Sequence, residues 1–105
     1  MRAIINGKRF DTATATLIGQ DSYPGSRSDF QWWEAALYRT PRSGQFFLAG
    51  KGGPMSRFAR STGQNAWSGG EAIIPMSLED ARDWAERQLT TAEVEAGFAS
   101  HIEDA

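Results

Sequence analysis

Apolar positions are spaced as in strands through the middle of the chain and as in helices at its end. Residues 31–40 and 45–50 are rich in aromatic and aliphatic side chains, and a short polar segment, 41–44, separates them. Two such segments joined by a turn predict an antiparallel hairpin. A further strand is predicted at 71–75, which has two isoleucines at its centre.

The first strand of this hairpin carries large side chains on both of its faces. Because successive side chains of a strand point to opposite sides, the two sets can be read directly from the sequence. One face holds Trp33, Ala35 and Leu37, and the other holds Trp32, Glu34, Ala36 and Tyr38. Either the strand is buried on one side and covered by a loop or helix on the other, or Trp32 and Tyr38 are exposed recognition residues.

The N-terminal region predicts short elements. Residues 3–10 contain two extended pieces joined at Asn6-Gly7, a dipeptide that favours tight hairpin turns. Asp11 is a suitable N-cap for a short helix over 12–18. The polar segment 20–28 predicts a loop.

Two connections in the second half of the chain carry candidate recognition residues. Segment 54–60 predicts a short helix because it opens with proline, and that helix would turn Met55 and Phe58 inward. Segment 61–70 has no periodicity and predicts a loop. Its Trp67 is either a plug in the core or is offered to a partner.

Two helices are predicted after the last strand. Ser77 is the N-cap of the first, with Asp80 at the third helical position, and Thr90 with Glu93 forms a capping-box pattern for the second. The apolar positions at helical spacing are Leu78, Ala81, Trp84, Ala85 and Leu89 in the first helix, and Val94, Phe98 and Ile102 in the second.

These elements predict a single α+β domain over residues 1–105. A small antiparallel sheet, built from the 31–50 hairpin and the strand near 71–75, packs against the C-terminal helices on one face. The N-terminal strands are candidates for the same sheet, and the strand order stays open.

Composition bears on the chemistry. The chain has no cysteine and one histidine, His101, which excludes disulfides, thiolate metal sites and cysteine nucleophiles. The glycine-rich turn at 50–54 lacks the spacing of a phosphate-binding loop, and no Gly-x-Ser-x-Gly motif is present. We therefore expect no catalytic residue, no metal and no cofactor, and a protein that is not an enzyme.

The chain also lacks a secretory-signal pattern and an apolar run long enough to span a membrane. We expect a cytoplasmic protein without a membrane partner.

Charge is distributed unevenly. Residues 1–77 hold nine basic and five acidic side chains, whereas residues 78–105 hold two basic and eight acidic ones. Such a split favours oriented association with charged partners, although a solvated acidic helix would produce it as well. The acidic candidates for partner binding are Glu79, Asp83, Glu86, Glu93 and Glu95.

The opposite candidate surface is aromatic and basic. Six basic residues interleave with aromatic ones over residues 27–60, a mixture that single-stranded nucleic-acid sites use. The sequence pI of about 5.3 argues against that function. The candidates on this surface are Trp32, Tyr38, Arg39, Arg57, Arg60 and Trp67.

Several segments resemble a family of small uncharacterised bacterial proteins that are carried on prophages and mobile elements. They are 5–12 (INGKRFDT), 34–40 (EAALYRT), 47–50 (FLAG), 52–56 (GGPMS) and 73–77 (IIPMS). The resemblance covers nearly the whole chain and implies an accessory protein that binds host machinery. Some small phage proteins of this size and acidity are anti-CRISPR inhibitors.

We therefore expect a non-catalytic inhibitor in the cytoplasm of the bacterial host cell. It would bind a host defence complex, such as a CRISPR effector subunit, and act by stoichiometric occlusion. The alternative is a small nucleic-acid-binding accessory protein that uses the basic-aromatic region 27–60. A monomer and a homodimer are both compatible with the sequence.

Overall fold

The computed structural model describes residues 1–64 and 66–105, and in these residues eight strands precede two helices. The strands are β1 (Arg2–Ile5), β2 (Lys8–Asp11), β3 (Thr16–Ser22), β4 (Trp33–Arg39), β5 (Phe46–Gly52), β6 (Arg60–Gly63), β7 (Ala66–Ser68) and β8 (Gly70–Met76). The helices are α1 (Leu78–Gln88) and α2 (Thr91–Gly97), and a 3₁₀ turn follows at Ala99–His101.

Strands β3, β4, β5 and β8 form a four-stranded antiparallel sheet in that order. Strands β1 and β2 form a separate hairpin, and β6 and β7 form a two-stranded ribbon. The α+β class, the 31–50 hairpin and the strand near 71–75 are confirmed. The N-terminal strands pair with each other instead of joining the main sheet.

Both faces of the main sheet are covered in part. On one face the helices pack on a core that includes Leu37, Leu48, Trp84 and Phe98. On the other face a smaller core of Phe10, Phe47 and Ala49 lies beneath the N-terminal hairpin. Alternation along β4 and β5 therefore sends large side chains into two different cores, as the two apolar faces of β4 predict.

Both helix caps form as predicted. The backbone N–H of Asp80 donates to the Ser77 hydroxyl at 3.1 Å, and Thr90 and Glu93 form a complete capping box. Beyond α2, the Phe98 ring stacks on Phe46 of β5 with centroids 5.0 Å apart. The chain after α2 is thus attached to the centre of the sheet.

The helix expected over 12–18 is wrong. Asp11 instead fixes a turn, because its carboxylate accepts from the N–H of Ala13 at 2.9 Å and its carbonyl accepts from Ala15 at 3.0 Å. Strand β3 begins at Thr16 and extends into the range 20–28 that we expected to be a loop. Its pairing with β4 places Ile18 against the main core, and this tertiary contact outweighs the local signal.

Two further expectations are wrong between β5 and β8. Residues 54–59 form turns, since the Ser56 hydroxyl donates to the carbonyl of Gly53 at 2.7 Å and accepts from the N–H of Phe58 at 3.2 Å. Segment 61–70, in which Asn65 lies outside the described residues, holds most of the β6–β7 ribbon. The side chains of these two strands are mostly exposed, so the sequence lacks the apolar alternation that would predict them.

Candidate partner-binding surface

The antiparallel order brings two connections to one end of the main sheet, and the second of them contains the β6–β7 ribbon. At this end β3 finishes, β4 begins at Trp33, β5 finishes at Gly52 and β8 begins at Gly70, with Trp33 paired to Gly52 and Gly52 to Gly70. Segments 23–32, 53–59 and 60–69 therefore emerge together. We call them the loop end.

Backbone hydrogen bonds join the first two of these segments. The N–H of Gly53 donates to the carbonyl of Trp32 at 2.7 Å, and the N–H of Met55 donates to the carbonyl of Phe30 at 2.8 Å. The approach is close enough that a Cβ added to Gly53 would lie 2.6 Å from the Phe30 carbonyl oxygen. The glycine-rich turn is thus explained by backbone packing within the loop end.

A buried aromatic side chain anchors the second segment. Phe58 is almost fully buried in the main core, and the Ser56 hydroxyl fixes the turn before it. The segment leaves the sheet at Gly52, forms its turn and returns into the core within six residues. The residues between Gly52 and Phe58 are therefore fixed at both ends of the segment.

Large apolar side chains are nevertheless exposed on all three segments. The exposed fractions are 66% for Phe30, 64% for Met55 and 60% for Trp67. Trp67 stands on the β6–β7 ribbon, where it pairs with Ser61. Surface apolar residues scattered singly are ordinary, so the relevant feature is that these three lie on segments that emerge at the same end of the sheet.

Basic side chains lie on the same three segments as the exposed apolar ones. Arg27, Arg57 and Arg60 lie on the same three segments and are exposed, and the acidic residue there is Asp29. The guanidinium of Arg27 lies 4.5 Å from the centroid of the Trp32 ring, a cation–π contact. Trp32 is half-buried, so its ring contacts an arginine as well as the loop.

The Asp29 carboxylate acts on a neighbouring phenol. Asp29 raises the pKa of Tyr23 above its ordinary value of 10.0, chiefly through its negative charge and further through burial and a hydrogen bond. A Cβ added to Gly25 would contact the Tyr23 ring and lie 3.0 Å from an Asp29 carboxylate oxygen. Glycine at position 25 therefore allows the loop to close over this pair.

The structure divides the predicted aromatic and basic residues between two places. Trp32, Arg57, Arg60 and Trp67 lie at the loop end, whereas Tyr38 and Arg39 lie at the other end of β4. The Tyr38 ring is half-buried and stacks on Phe47 at 5.3 Å, and the Arg39 guanidinium lies 5.7 Å from the Phe46 ring centroid. These two residues are not brought together with the other four.

The predicted acidic residues are also separated. Glu79, Asp83 and Glu86 are exposed along α1, and Glu95 is exposed on α2. The carboxylate of Glu93 accepts from the N–H and the hydroxyl of Thr90, both at 3.0 Å, so it serves the helix cap. Two arginines, Arg82 and Arg87, interrupt the acidic residues of α1.

Sequence reasoning missed two members of the loop end. Phe30 lies in a segment whose polar neighbours gave no sign of a recognition residue, and Met55 was expected to face inward from a helix. The usable signal was the glycine-rich turn, because glycine often marks a place where another backbone approaches closely.

The described residues contain neither a cluster of metal ligands nor a membrane-spanning helix. In residues 1–64 and 66–105, no three histidine, aspartate or glutamate side chains are grouped so that they could hold a metal ion. None of the helices described is long and apolar enough to cross a membrane. Comparisons with protein-family models, with curated proteins and with solved structures find no match to this chain.

Proposed function

We propose that this protein is a non-catalytic accessory protein of a phage or mobile element that binds and inhibits a host defence complex. In its most concrete form it is an anti-CRISPR protein that occupies a surface of an effector subunit in stoichiometric amount. The observation that carries the proposal is the loop end, where Phe30, Met55 and Trp67 are exposed on three segments at one end of the main sheet.

The composition of the loop end favours a protein partner. Tryptophan, phenylalanine, methionine and arginine are enriched in the centres of protein interfaces, and tryptophan and arginine are frequent among the residues that dominate binding energy. Trp67 and the three arginines of the loop end supply these residue types. A partner that buries Trp67 would remove a large apolar ring from water.

The way the loop end is held favours tight binding. The Gly53-to-Trp32 and Met55-to-Phe30 hydrogen bonds connect two of its segments before any partner arrives. Less conformational entropy is then lost on association, because fewer loop residues must be ordered. A rigid surface of this kind suits an inhibitor that acts by occupancy.

The inhibitor role rests on the resemblance to mobile-element proteins. One of the resembling segments, 52–56, is the turn that builds the loop end. Small proteins of mobile elements act by binding host machinery, and a defence complex is the partner that such an element must block. The proposal therefore joins a surface seen in the fold to a role implied by the sequence.

Nucleic-acid binding is the competing function, and the positions of the basic residues weigh against it. Arg39 and Arg42 lie at the opposite end of β4 from Arg57 and Arg60. Lys51 pairs with Glu34 at 3.3 Å. A groove for a nucleic-acid backbone needs a continuous basic path, and these residues are divided between separate places.

The test is a pull-down from cells that express a defined CRISPR effector complex, with nuclease-treated and untreated lysates side by side. Tagged wild-type protein should recover the effector subunits, identified by mass spectrometry, in both lysates. Trp67→Ser should lose them. Ile4→Ser is the matched control, because Ile4 is an equally exposed apolar residue on the N-terminal hairpin.

Two results would refute the proposal. Recovery of nucleic acid alone, removed by nuclease, would assign the protein to the competing function. Recovery of effector subunits by Trp67→Ser at the level of Ile4→Ser would show that the loop end is not the contact surface.

A further inference from the structure

A cleft of about 360 Å³ lies between the loop end and α1. Of the three exposed apolar side chains of the loop end, Met55 lines this cleft. Its main lining residues are Tyr23, Trp33, Met55, Arg57, Trp84 and Arg87. The volume is near the lower limit of ligand pockets, which span roughly 300–1,000 Å³, so it suits one large side chain.

Aromatic side chains line the cleft, and one of them, Trp84, has a hydrogen-bond donor without a partner among the described residues. Trp84 is 4% exposed, and its indole N–H makes no hydrogen bond to another described residue. No buried side-chain nitrogen of the described residues is enclosed without a partner, so this N–H reaches the surface. A tryptophan buried to this extent usually has a partner for its N–H.

Two arginines from different elements stand at the rim. Arg57 follows the glycine-rich turn, Arg87 lies in the last turn of α1, and both are exposed. Among the described residues, the ion pair within 4.0 Å joins Lys51 to Glu34. Neither rim arginine is therefore in such an ion pair. Asp80 and Asp83 line a second depression together with both arginines, and neither aspartate lines the aromatic cleft.

We propose that this cleft is the docking site for an acidic segment of the partner protein. The segment carries one aromatic or large apolar side chain, which enters the cleft over Trp33 and Trp84. Flanking carboxylates accept hydrogen bonds from Arg57 and Arg87, with the Trp84 N–H as a further donor. Charge complementarity selects this occupant, because two guanidinium groups beside an apolar pocket favour carboxylates over neutral or basic groups.

This inference rests on the proposed function, since it specifies the chemistry of the partner. It extends the contact surface from the loop end onto α1. It also gives a role to Arg87, one of the two arginines in the acidic end of the chain.

The test uses immobilised random heptapeptides in three classes, each with a central phenylalanine or tryptophan and acidic, neutral or basic flanks. Wild-type protein should be retained by the acidic class, and Arg57→Glu/Arg87→Glu should weaken retention at least about tenfold, as expected for lost charge-assisted hydrogen bonds. Arg42→Glu is the matched control at the other end of the sheet and should bind like wild type. Thermal melting should show that all three proteins are equally folded.

Absence of retention, or retention that is strongest on neutral or basic peptides, would overturn the inference. So would retention by Arg57→Glu/Arg87→Glu at the wild-type level. Release of the bound peptides by a short oligothymidylate would assign the cleft to nucleic acid. A doubled mass of wild-type protein alone, abolished by the same substitutions, would assign it to a second copy of the chain.

The inference and the proposed function can fail separately. If the double variant still recovers effector subunits in the pull-down, the cleft is not the docking site but the inhibitor proposal stands. If wild-type protein binds acidic peptides but recovers no effector, the cleft stands and the partner has been misassigned.

Discussion

The backbone N–H of Met55 donates a 2.8 Å hydrogen bond to the carbonyl of Phe30, which joins two loops that each expose a large apolar side chain. The two exposed side chains therefore project from loops whose backbones are hydrogen-bonded to each other. Because the first loop leads into β4 of the main sheet and the second places Phe58 in the main core, this arrangement is part of the native fold and does not require a partner to form.

Gly53 is predicted to be essential for this connection. In Gly53→Ala the new Cβ would lie 2.6 Å from the Phe30 carbonyl oxygen, so the two loops would have to separate. We expect a loss of about 1–3 kcal/mol in the free energy of unfolding, measured by urea denaturation. Gly63→Ala is the control, because a Cβ there meets nothing within 4 Å. Equal effects of the two substitutions would contradict this explanation of the turn.

Phe98 is predicted to hold the C-terminal helices on the sheet. It is fully buried and stacks on Phe46, so Phe98→Ala should cost about 3–5 kcal/mol through the lost burial and the cavity. Ile102→Ala, at an exposed position four residues later, should change stability by less than about 0.5 kcal/mol. Thermal melting followed by circular dichroism compares the two. A small effect at Phe98 would mean that the helices dock by other contacts.

Glu93 and Glu95 are predicted to differ although both lie on α2. The Glu93 carboxylate completes the capping box with Thr90, so Glu93→Ala should lower stability by about 0.5–2 kcal/mol. Glu95→Ala removes an exposed carboxylate and should be nearly neutral. Chemical denaturation of both variants measures the difference. If the two were equivalent, the cap would contribute nothing and Glu93 would be free for other contacts.

The phenol of Tyr23 is predicted to titrate above pH 10.0, because the Asp29 carboxylate raises its pKa. The folded chain then keeps the phenol proton at pH values where the unfolded chain has lost it. The resulting stabilisation is present below pH 10.0 and is lost as the pH rises through the pKa of the folded state. Absorbance at 295 nm follows the titration.

Two variants assign this titration and test its cause. Tyr23→Phe should remove the step that belongs to Tyr23 from the titration. Asp29→Asn should lower the Tyr23 midpoint towards 10.0. An unchanged midpoint in Asp29→Asn would contradict the electrostatic cause.

Elements with strong local signals were predictable from the sequence. The Asn6-Gly7 turn has positive φ at both residues, 51° and 78°, as the dipeptide indicates. Ser77 and Thr90 cap the helices at the predicted places because capping depends on residues within one turn. The same reasoning could not place β3, since its pairing with β4 is a tertiary contact that overrides local preference.

The candidate site was predictable only in part. Trp32, Arg57, Arg60 and Trp67 were among the expected recognition residues, but their assembly at one end depends on the strand order, which local patterns do not determine. Met55 was assigned to the core because Pro54 suggested a helix. The contact between Gly53 and Phe30, which prevents that helix, joins residues more than twenty positions apart.

The most direct test of the central claim is a titration of target-DNA cleavage by a purified CRISPR effector. Wild-type protein should abolish cleavage at about one molar equivalent and Ile4→Ser should do the same, while Trp67→Ser should fail at a large excess. The triple reversal Glu79→Lys/Asp83→Lys/Glu86→Lys should retain inhibition, because the loop end makes the contact. Inhibition by Trp67→Ser at wild-type stoichiometry, together with loss of inhibition in the triple reversal, would contradict the account and assign binding to the acidic face of α1.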